Sequence, residues 1–372
     1  MVLHFATKLH WKQLAPDAVK SKCLSLQTMT SNGLISNSGK GFFTILPLGQ
    51  RIIEKLTRIV DQELQAVGAQ KMEAPSMAPK KIWSKSGRWE SMGAEMFKLK
   101  DRLDIEYCLQ PTAEEIFTMS VSSLGLVREK MLPLMLYQKY VRRVEADSGA
   151  MGGDVSHEFH LPNPSSEDSL LICKKCEKTT KKEEKEFSKC DSCGGEIERM
   201  DTIEVGHTFQ LGKKYSEAFE AFSPTKEPFF MCCFGLGLTR IIAASIDTVT
   251  ISKKAMRIPE VLAPFKLGII LPKESTTNSE FVKSFLKDID GLKNFSNDIL
   301  VDDRIEKSIG RRINEMNQLG IPNLIVASSH KHVDPFEIQK IELFKTKLAD
   351  DRVLKIGDLT HSELFQFLNN YS

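Results

Sequence analysis

Three groups of residues in this sequence have the types and spacing to do chemistry. Cys173-Lys174-Lys175-Cys176 and Cys190-Asp191-Ser192-Cys193 are two Cys-x-x-Cys pairs flanking a Lys- and Glu-rich stretch. Four thiolates so spaced suit a tetrahedral structural Zn2+, with every ligand position filled by Cys. The alternative is four reduced thiols in a charged, solvated loop. In Cys233-Phe234-Gly235-Leu236-Gly237-Leu238-Thr239-Arg240, an apolar run meets a Gly-x-Gly turn, and a basic side chain stands at the start of an apolar helix. Gly235 and Gly237 would let backbone approach a ligand, and Arg240 could aim its fork at a phosphate near the helix N-terminus. The same pattern also serves packing or a tight turn. In Pro111-Thr112-Ala113-Glu114-Glu115, Thr112 and Glu114 stand at a strand end, where a carboxylate suits an ammonium or secondary amine. The competing reading makes Thr112 an N-cap and Glu115 its capping-box partner. Cys232 and Cys233 read as buried packing, and nothing resembles a nucleophilic triad.

The elements that would position these groups are partly legible. Ile52, Ile53, Leu56, Ile59, Val60, Leu64 and Val67 recur at helical spacing after Pro47, and Gly68 is placed to end that helix. Residues 265–372 alternate strands (267–271, 299–301, 324–327) with helices (280–292, 309–319, the second ended by Gly320), which predicts a mostly parallel α/β sheet. Asp302, Asp303 and Arg304 fall at a strand's C-terminal end, where such sheets place ligands; a salt bridge to its neighbours is the other reading of Arg304. The first forty residues hold Lys8, Lys12, Lys20, Lys22 and Lys40 against the single acid Asp17, which suggests an organellar transit peptide or a disordered terminus. With 372 residues, 41% hydrophobic and 27% charged, the composition is that of a globular protein of two or three domains. A net charge of +2 argues for no nucleic-acid partner unless basic surface is local, and no apolar run is long enough to span a bilayer.

The order of motifs narrows this further. Gly41 to Gly49, Ser86-Gly87-Arg88-Trp89, Pro111 to Glu115 and Leu132 to Gln138 resemble prolyl-tRNA synthetases of the bacterial and mitochondrial type. So do Ala146 to Gly153, Ser156-His157-Glu158-Phe159 and Glu204 to Gly212, and the resemblance is collinear over residues 31–372. It implies an α+β catalytic domain, the class II synthetase antiparallel sheet with flanking helices, followed by a C-terminal α/β anticodon-binding domain. The helix from Gln50 and the strand to Pro75 resemble motif 1, the dimer interface of class II enzymes. By resemblance, Thr112 and Glu114 hold the proline, and His207 lies on the strand lining that pocket with Glu204 near it. Arg240 matches the motif 3 arginine on the γ-phosphate of ATP, beside Gly235 and Gly237. Asp303 and Arg304 belong to the domain that reads anticodon bases.

The chain departs from the family after Gln138. There the family continues into the strands and loop of motif 2, whereas here Lys139-Tyr140-Val141-Arg142-Arg143-Val144-Glu145 runs straight into Ala146-Asp147. Arg143-Val144-Glu145 imitates the Arg-x-Glu hallmark but is attached to a later strand, so several dozen residues are absent. The α-phosphate arginine and the adenine-binding groups go with them. Each lost charge-stabilising donor costs about 3–4 kcal/mol at the transition state. The expectation is a prolyl-tRNA synthetase lineage attaching proline to tRNA(Pro) with ATP and Mg2+ for organellar translation, in a chain disabled for proline activation. A tRNA-binding or dimerising product without catalysis is the alternative. Another class II synthetase, such as threonyl, is a third option that the Thr-x-Glu loop argues against. The expected layout is a mitochondrial presequence over 1–30, a catalytic domain over 31–264 with a zinc knuckle at 165–200, and an anticodon-binding domain over 265–372. The expected assembly is a homodimer with no membrane partner. It is placed in the mitochondrial matrix, with the cytoplasm as second choice.

Overall fold

The computed structural model describes residues 3–11, 14, 19, 21, 23–139, 155–163, 168–181, 189–272, 280–328 and 340–371. The expectations made for Arg142, Arg143, Glu145 and Ala146 to Gly153 therefore lie outside the described residues. The chain divides into two units. One comprises Met1–Leu56, Leu161–Ile203 and Leu238–Ser372, the other Thr57–His160 and Glu204–Gly237.

The first unit is built on a six-stranded sheet. Its order is His4–Phe5, Ile299–Asp302, Leu267–Ile270, Asn323–Ser328, Lys340–Thr346 and Val353–Leu359. The first four strands are parallel and the last two antiparallel. Leu267–Ile270 and Ile299–Asp302 are buried along their whole length. Apart from the buried Asp302 that ends the second, they are the apolar runs that a sheet covered on both faces requires. Val282, Phe285 and Ile289 of the helix Glu280–Asp290 pack with Ile269, Val301 and Ile325 into one core. Each such side chain stabilises the fold by roughly 1.5–3 kcal/mol. Ser308 caps the helix Ile309–Gln318 by accepting from the Arg311 N–H. Gly320 ends it at φ +77°, where a Cβ would stand 2.9 Å from the Met256 carbonyl oxygen. The hairpin Lys340–Thr346/Val353–Leu359 and the helix His361–Asn369 were not expected from the sequence, although Thr360 and Glu363 form a capping box.

The helix Pro47–Ala66 begins in this unit, where Leu48, Ile52, Ile53 and Leu56 are buried. A Cβ at Gly49 would run into the Leu34 carbonyl oxygen, so only glycine allows this packing. The helical face read from the sequence is buried only over its first half. Ile59, Val60 and Leu64 are half-buried and Val67 is exposed.

The second unit carries an antiparallel sheet of Met77–Pro79, Glu106–Leu109 and Lys98–Lys100. Trp83, Trp89, Met92, Met96, Cys108 and Ile116 form its core. Beside it, residues 206–212 of the long strand Ile197–Gly212 pair antiparallel with Met231–Leu236. Gly235 is not part of a turn, contrary to the expected Gly-x-Gly turn. It lies inside the strand opposite His207, whose pairing keeps the backbone extended as far as Leu236. Among the described residues, no helix is long and apolar enough to cross a membrane.

Candidate functional site

In the second unit the Ser86-Gly87-Arg88-Trp89 turn and the Thr112–Glu115 segment meet. Gly87 at φ +75° precedes the short helix Arg88–Ser91 and turns Arg88 inward, where its side chain is 1% exposed. Arg88 Nη1 donates to Thr112 Oγ1 at 2.9 Å, to Glu114 Oε2 at 3.2 Å and to Glu115 Oε2 at 3.2 Å. Ser86 Oγ donates to Glu115 Oε1 at 2.6 Å. The helix Glu114–Ser122 has Ala113 at its N-cap and no side-chain cap, so the capping-box reading of Thr112 and Glu115 is displaced. Both side chains are committed to Arg88 instead. Burial pushes the Glu115 carboxyl above its ordinary value, although Arg88 and Ser86 oppose the shift.

The ribbon of residues 206–212 and 231–236 adds a second set. Cys233 stands opposite Phe209, and paired residues project from the same face of a sheet. Burial, then the Glu114 carboxylate it bonds, push the Cys233 thiol well above its ordinary value. Burial does the same to the Tyr215 hydroxyl, whose ring lies 5.9 Å from the Arg88 guanidinium. His207, two residues from Phe209 and so on its face, stacks on that ring at 3.9 Å. His207 Nδ1 lies 3.2 Å from Glu204 Oε1, while its Nε2 is buried without a hydrogen-bond partner. Phe159, His207, Phe234 and Leu236 are among the residues lining an apolar cavity of about 250 Å³. Thr112, Glu114, Glu204 and His207 thus all belong to one unit, with Glu114 and His207 linked through the face that Cys233 and Phe209 share. Cys232 is exposed rather than buried, because it projects from the other face.

Gly235, Gly237 and Arg240 follow along the chain. A Cβ at Gly235 would meet nothing within 4 Å, so that side of the strand is open. The Gly237 N–H donates to the Val205 carbonyl at 2.8 Å. Arg240 stands, half-buried, in the first turn of the helix Leu238–Val249 in the first unit, as its place beside the glycines predicts.

The four cysteines of the knuckle converge. Cys173 Sγ lies 3.4 Å from Cys193 Sγ and Cys176 Sγ lies 3.7 Å from Cys190 Sγ, with all four sulfurs within 4.8 Å of one another. Zn–S bonds of about 2.3 Å in a tetrahedron put sulfurs about 3.8 Å apart, so the set fits Zn2+. The Lys175 N–H donates to Cys173 Sγ at 3.4 Å, and a Cβ at Gly195 would lie 3.0 Å from the same sulfur. A second group whose ligand atoms lie within 4.8 Å of one another is Glu158, Glu204 and His207, of which His207 also lines the cavity.

At the C-terminal end of Ile299–Asp302, Arg304 is locked in ion pairs with Asp302 at 2.6 Å and Glu315 at 2.8 Å. Asp303 accepts from the backbone N–H of Thr7 at 2.9 Å and from its hydroxyl at 2.5 Å. The Trp11 ring lies 4.5 Å from the Arg304 guanidinium. Arg312 is fully buried beneath, bonding the Asp302 carbonyl while its Nε and Nη2 have no partner. The salt-bridge reading of Arg304 is the geometry found, and residues 7–11 cover it.

No protein-family profile matches the chain. Individual proteins do. A "Probable proline--tRNA ligase, mitochondrial" of Rattus norvegicus is 34% identical to it, covering 85% of this chain and 80% of the relative, and the Homo sapiens protein of that name gives the same figures. The chain belongs to the proline–tRNA ligase family. A Schizosaccharomyces pombe ligase of the same name is 29% identical over 82% of this chain and 85% of its own length. Among solved structures, a Giardia lamblia prolyl-tRNA synthetase in complex with prolyl-adenylate superposes with a TM-score of 0.61. It is 15% identical and covers 90% of this chain and 74% of that one, a likeness of fold. The class II ligase fold implied by the motif order is therefore present.

The alignment to the rat ligase runs over 383 positions yet takes in only 85% of these 372 residues. Several dozen positions of that ligase therefore have no counterpart here. Sequence reasoning missed Arg88 and Tyr215. The Ser-Gly-Arg-Trp motif was visible as a family signature, but nothing in the spacing says that Arg88 reaches a loop more than twenty residues further along.

Proposed function

We propose that this ligase-family chain holds proline in its second unit, with the secondary amine on Glu114 and Thr112 and the ring toward Phe209 and His207. The observation that supports this is the buried guanidinium of Arg88, which gathers Thr112 and Glu114 at one point on the face of a sheet that carries His207. In this reading ATP with Mg2+ is the co-substrate, Gly235, Gly237 and Arg240 serve its phosphates, and tRNA(Pro) is the acceptor read through Asp303 and Arg304. A catalytic domain over 31–264 and an anticodon-binding domain over 265–372 would carry these roles. The half-buried Ile59, Val60 and Leu64 and the exposed Val67 suit a homodimer interface. The relatives' names favour a mitochondrial location, with the matrix as the compartment expected. Residues 1–30, expected as the presequence, supply His4–Phe5 to the six-stranded sheet and Thr7 and Trp11 to Asp303 and Arg304.

Cys173, Cys176, Cys190 and Cys193 would hold a structural Zn2+, which when bound clamps the knuckle at 165–200. The proline carboxylate would attack the α-phosphate in line, a step that depends on positioning and charge stabilisation. With the adenine- and α-phosphate-binding residues missing after Gln138, this chain binds proline but forms no prolyl-adenylate. Two assays on the purified chain test this together. Equilibrium dialysis should show bound labelled proline, and proline-dependent pyrophosphate exchange should stay at blank. Exchange above the blank refutes the disabled cleft; absence of bound proline refutes the site. The reading of a tRNA-binding product without catalysis, which the same gap favours, predicts a gel shift with tRNA(Pro) and no charging.

A further inference from the structure

We propose that Arg88, with Glu115 as its buried counter-charge, is the positioning residue that orients Thr112 and Glu114 and makes the site select an amine. This rests on the reading that Thr112 and Glu114 receive the proline nitrogen. The guanidinium is held on several sides. It lies 4.7 Å from the Trp83 ring and 3.6 Å from the Met92 sulfur, and Gly87 at φ +75° sets its approach. Its two carboxylate partners differ in exposure. The Glu115 side chain is 0% exposed and the Glu114 side chain 10%.

That asymmetry separates the two carboxylates. Glu115, fixed also by Ser86, is the internal partner of Arg88. Glu114, bonded by Arg88 and by the Cys233 thiol, is the less buried carboxylate and in this proposal the one that meets the ligand. Among the described residues the cluster sets two carboxylates against one guanidinium. A secondary ammonium placed on Glu114 balances the remaining negative charge, whereas an ether oxygen at the same place would not. All three oxygens are met by one guanidinium nitrogen, Nη1, and a lysine ammonium would end about one bond short of it and lose the planar group that faces Trp83.

The test uses the full chain, with binding of proline and of tetrahydrofuran-2-carboxylate, which lacks the amine, measured by calorimetry beside thermal unfolding. Glu114→Gln examines the underlying site. The pair Arg88→Met with Glu115→Gln removes the two fully buried charges together and leaves only the Glu114 carboxylate, the more exposed of the three. Arg88→Lys keeps the charge and draws it back from the three oxygens that Nη1 meets. The expected result is that Glu114→Gln and the double variant each bind proline about ten- to a hundredfold more weakly. In both, the preference for proline over the ether should collapse while the unfolding temperature stays near that of the unaltered chain. Should Glu114→Gln bind proline unchanged, the amine site itself is wrong. Should Glu114→Gln lose binding while the double variant keeps affinity and preference, Arg88 is only structural and the proposal is overturned. If the double variant does not fold, Arg88→Lys decides. A retained amine preference overturns the proposal and a lost one supports it.

Discussion

If the four-cysteine knuckle holds Zn2+ as proposed, its removal is the perturbation with the largest consequence. Between residues 168 and 200, Leu170, Cys173 and Cys190 are the buried apolar side chains among the described residues. One buried leucine supplies about 1.5–3 kcal/mol. Fixing the backbone of even a few residues costs about 1–2 kcal/mol each, so this segment does not order itself through its core. A four-thiolate zinc site supplies roughly 10–16 kcal/mol, enough to dominate. Chelation of the full chain, or Cys176→Ser, should therefore open the knuckle while the six-stranded sheet of the same unit stays folded. The reporters are the amides of Lys174, Cys190 and Gly194, which donate to the carbonyls of Glu196, Gly195 and Cys190 at 3.0, 2.7 and 2.8 Å. Hydrogen exchange should show all three protected in the metal-loaded protein and exposed after chelation, with zinc near one equivalent by elemental analysis beforehand. A purified chain that holds no zinc and still protects those amides would refute the reasoning.

Other expectations are more local. Gly320→Ala places a Cβ at φ +77° against the Met256 carbonyl and should destabilise the unit by about 1–3 kcal/mol, read as a lower urea midpoint at unchanged slope. Thr7→Val with Trp11→Ala uncovers Asp303 and Arg304. If those residues meet tRNA, affinity in a gel shift should rise by about two- to fivefold, the scale of one exposed cation–π contact, and an unchanged dissociation constant would count against it. Asp350→Asn should move the acid transition upward. Arg352 holds the Asp350 carboxyl at about 2, below its unfolded value, so this contribution is present above the unfolded pKa of 3.8 and is lost as pH falls toward 2. Circular dichroism against pH reads the shift.

What the sequence determined by itself was whatever depends on near neighbours along the chain. The two Cys-x-x-Cys pairs were legible because their spacing lets one turn hold the two thiols of each pair close together. The apolar runs at 267–271 and 299–301 were legible because a strand covered on both faces is apolar along its buried length. The end of a helix at Gly320 was legible because a left-handed residue needs no distant partner. The hairpin at 340–359 escaped because its alternation is weak, although the Thr360–Glu363 capping box marked the helix after it. Only the tertiary structure could decide how to read Thr112 and Glu115. Their local spacing spells an N-cap equally well, and the decision came from Arg88, which the fold carries to them. In the same way, Thr7 and Trp11 reach Asp303 and Arg304 across almost the whole chain. Pattern reports which face an element must bury. Which charged group lies across from it is set by packing between segments distant in sequence, and that packing makes Glu115 the fully buried partner of Arg88 and leaves Glu114 the more exposed one.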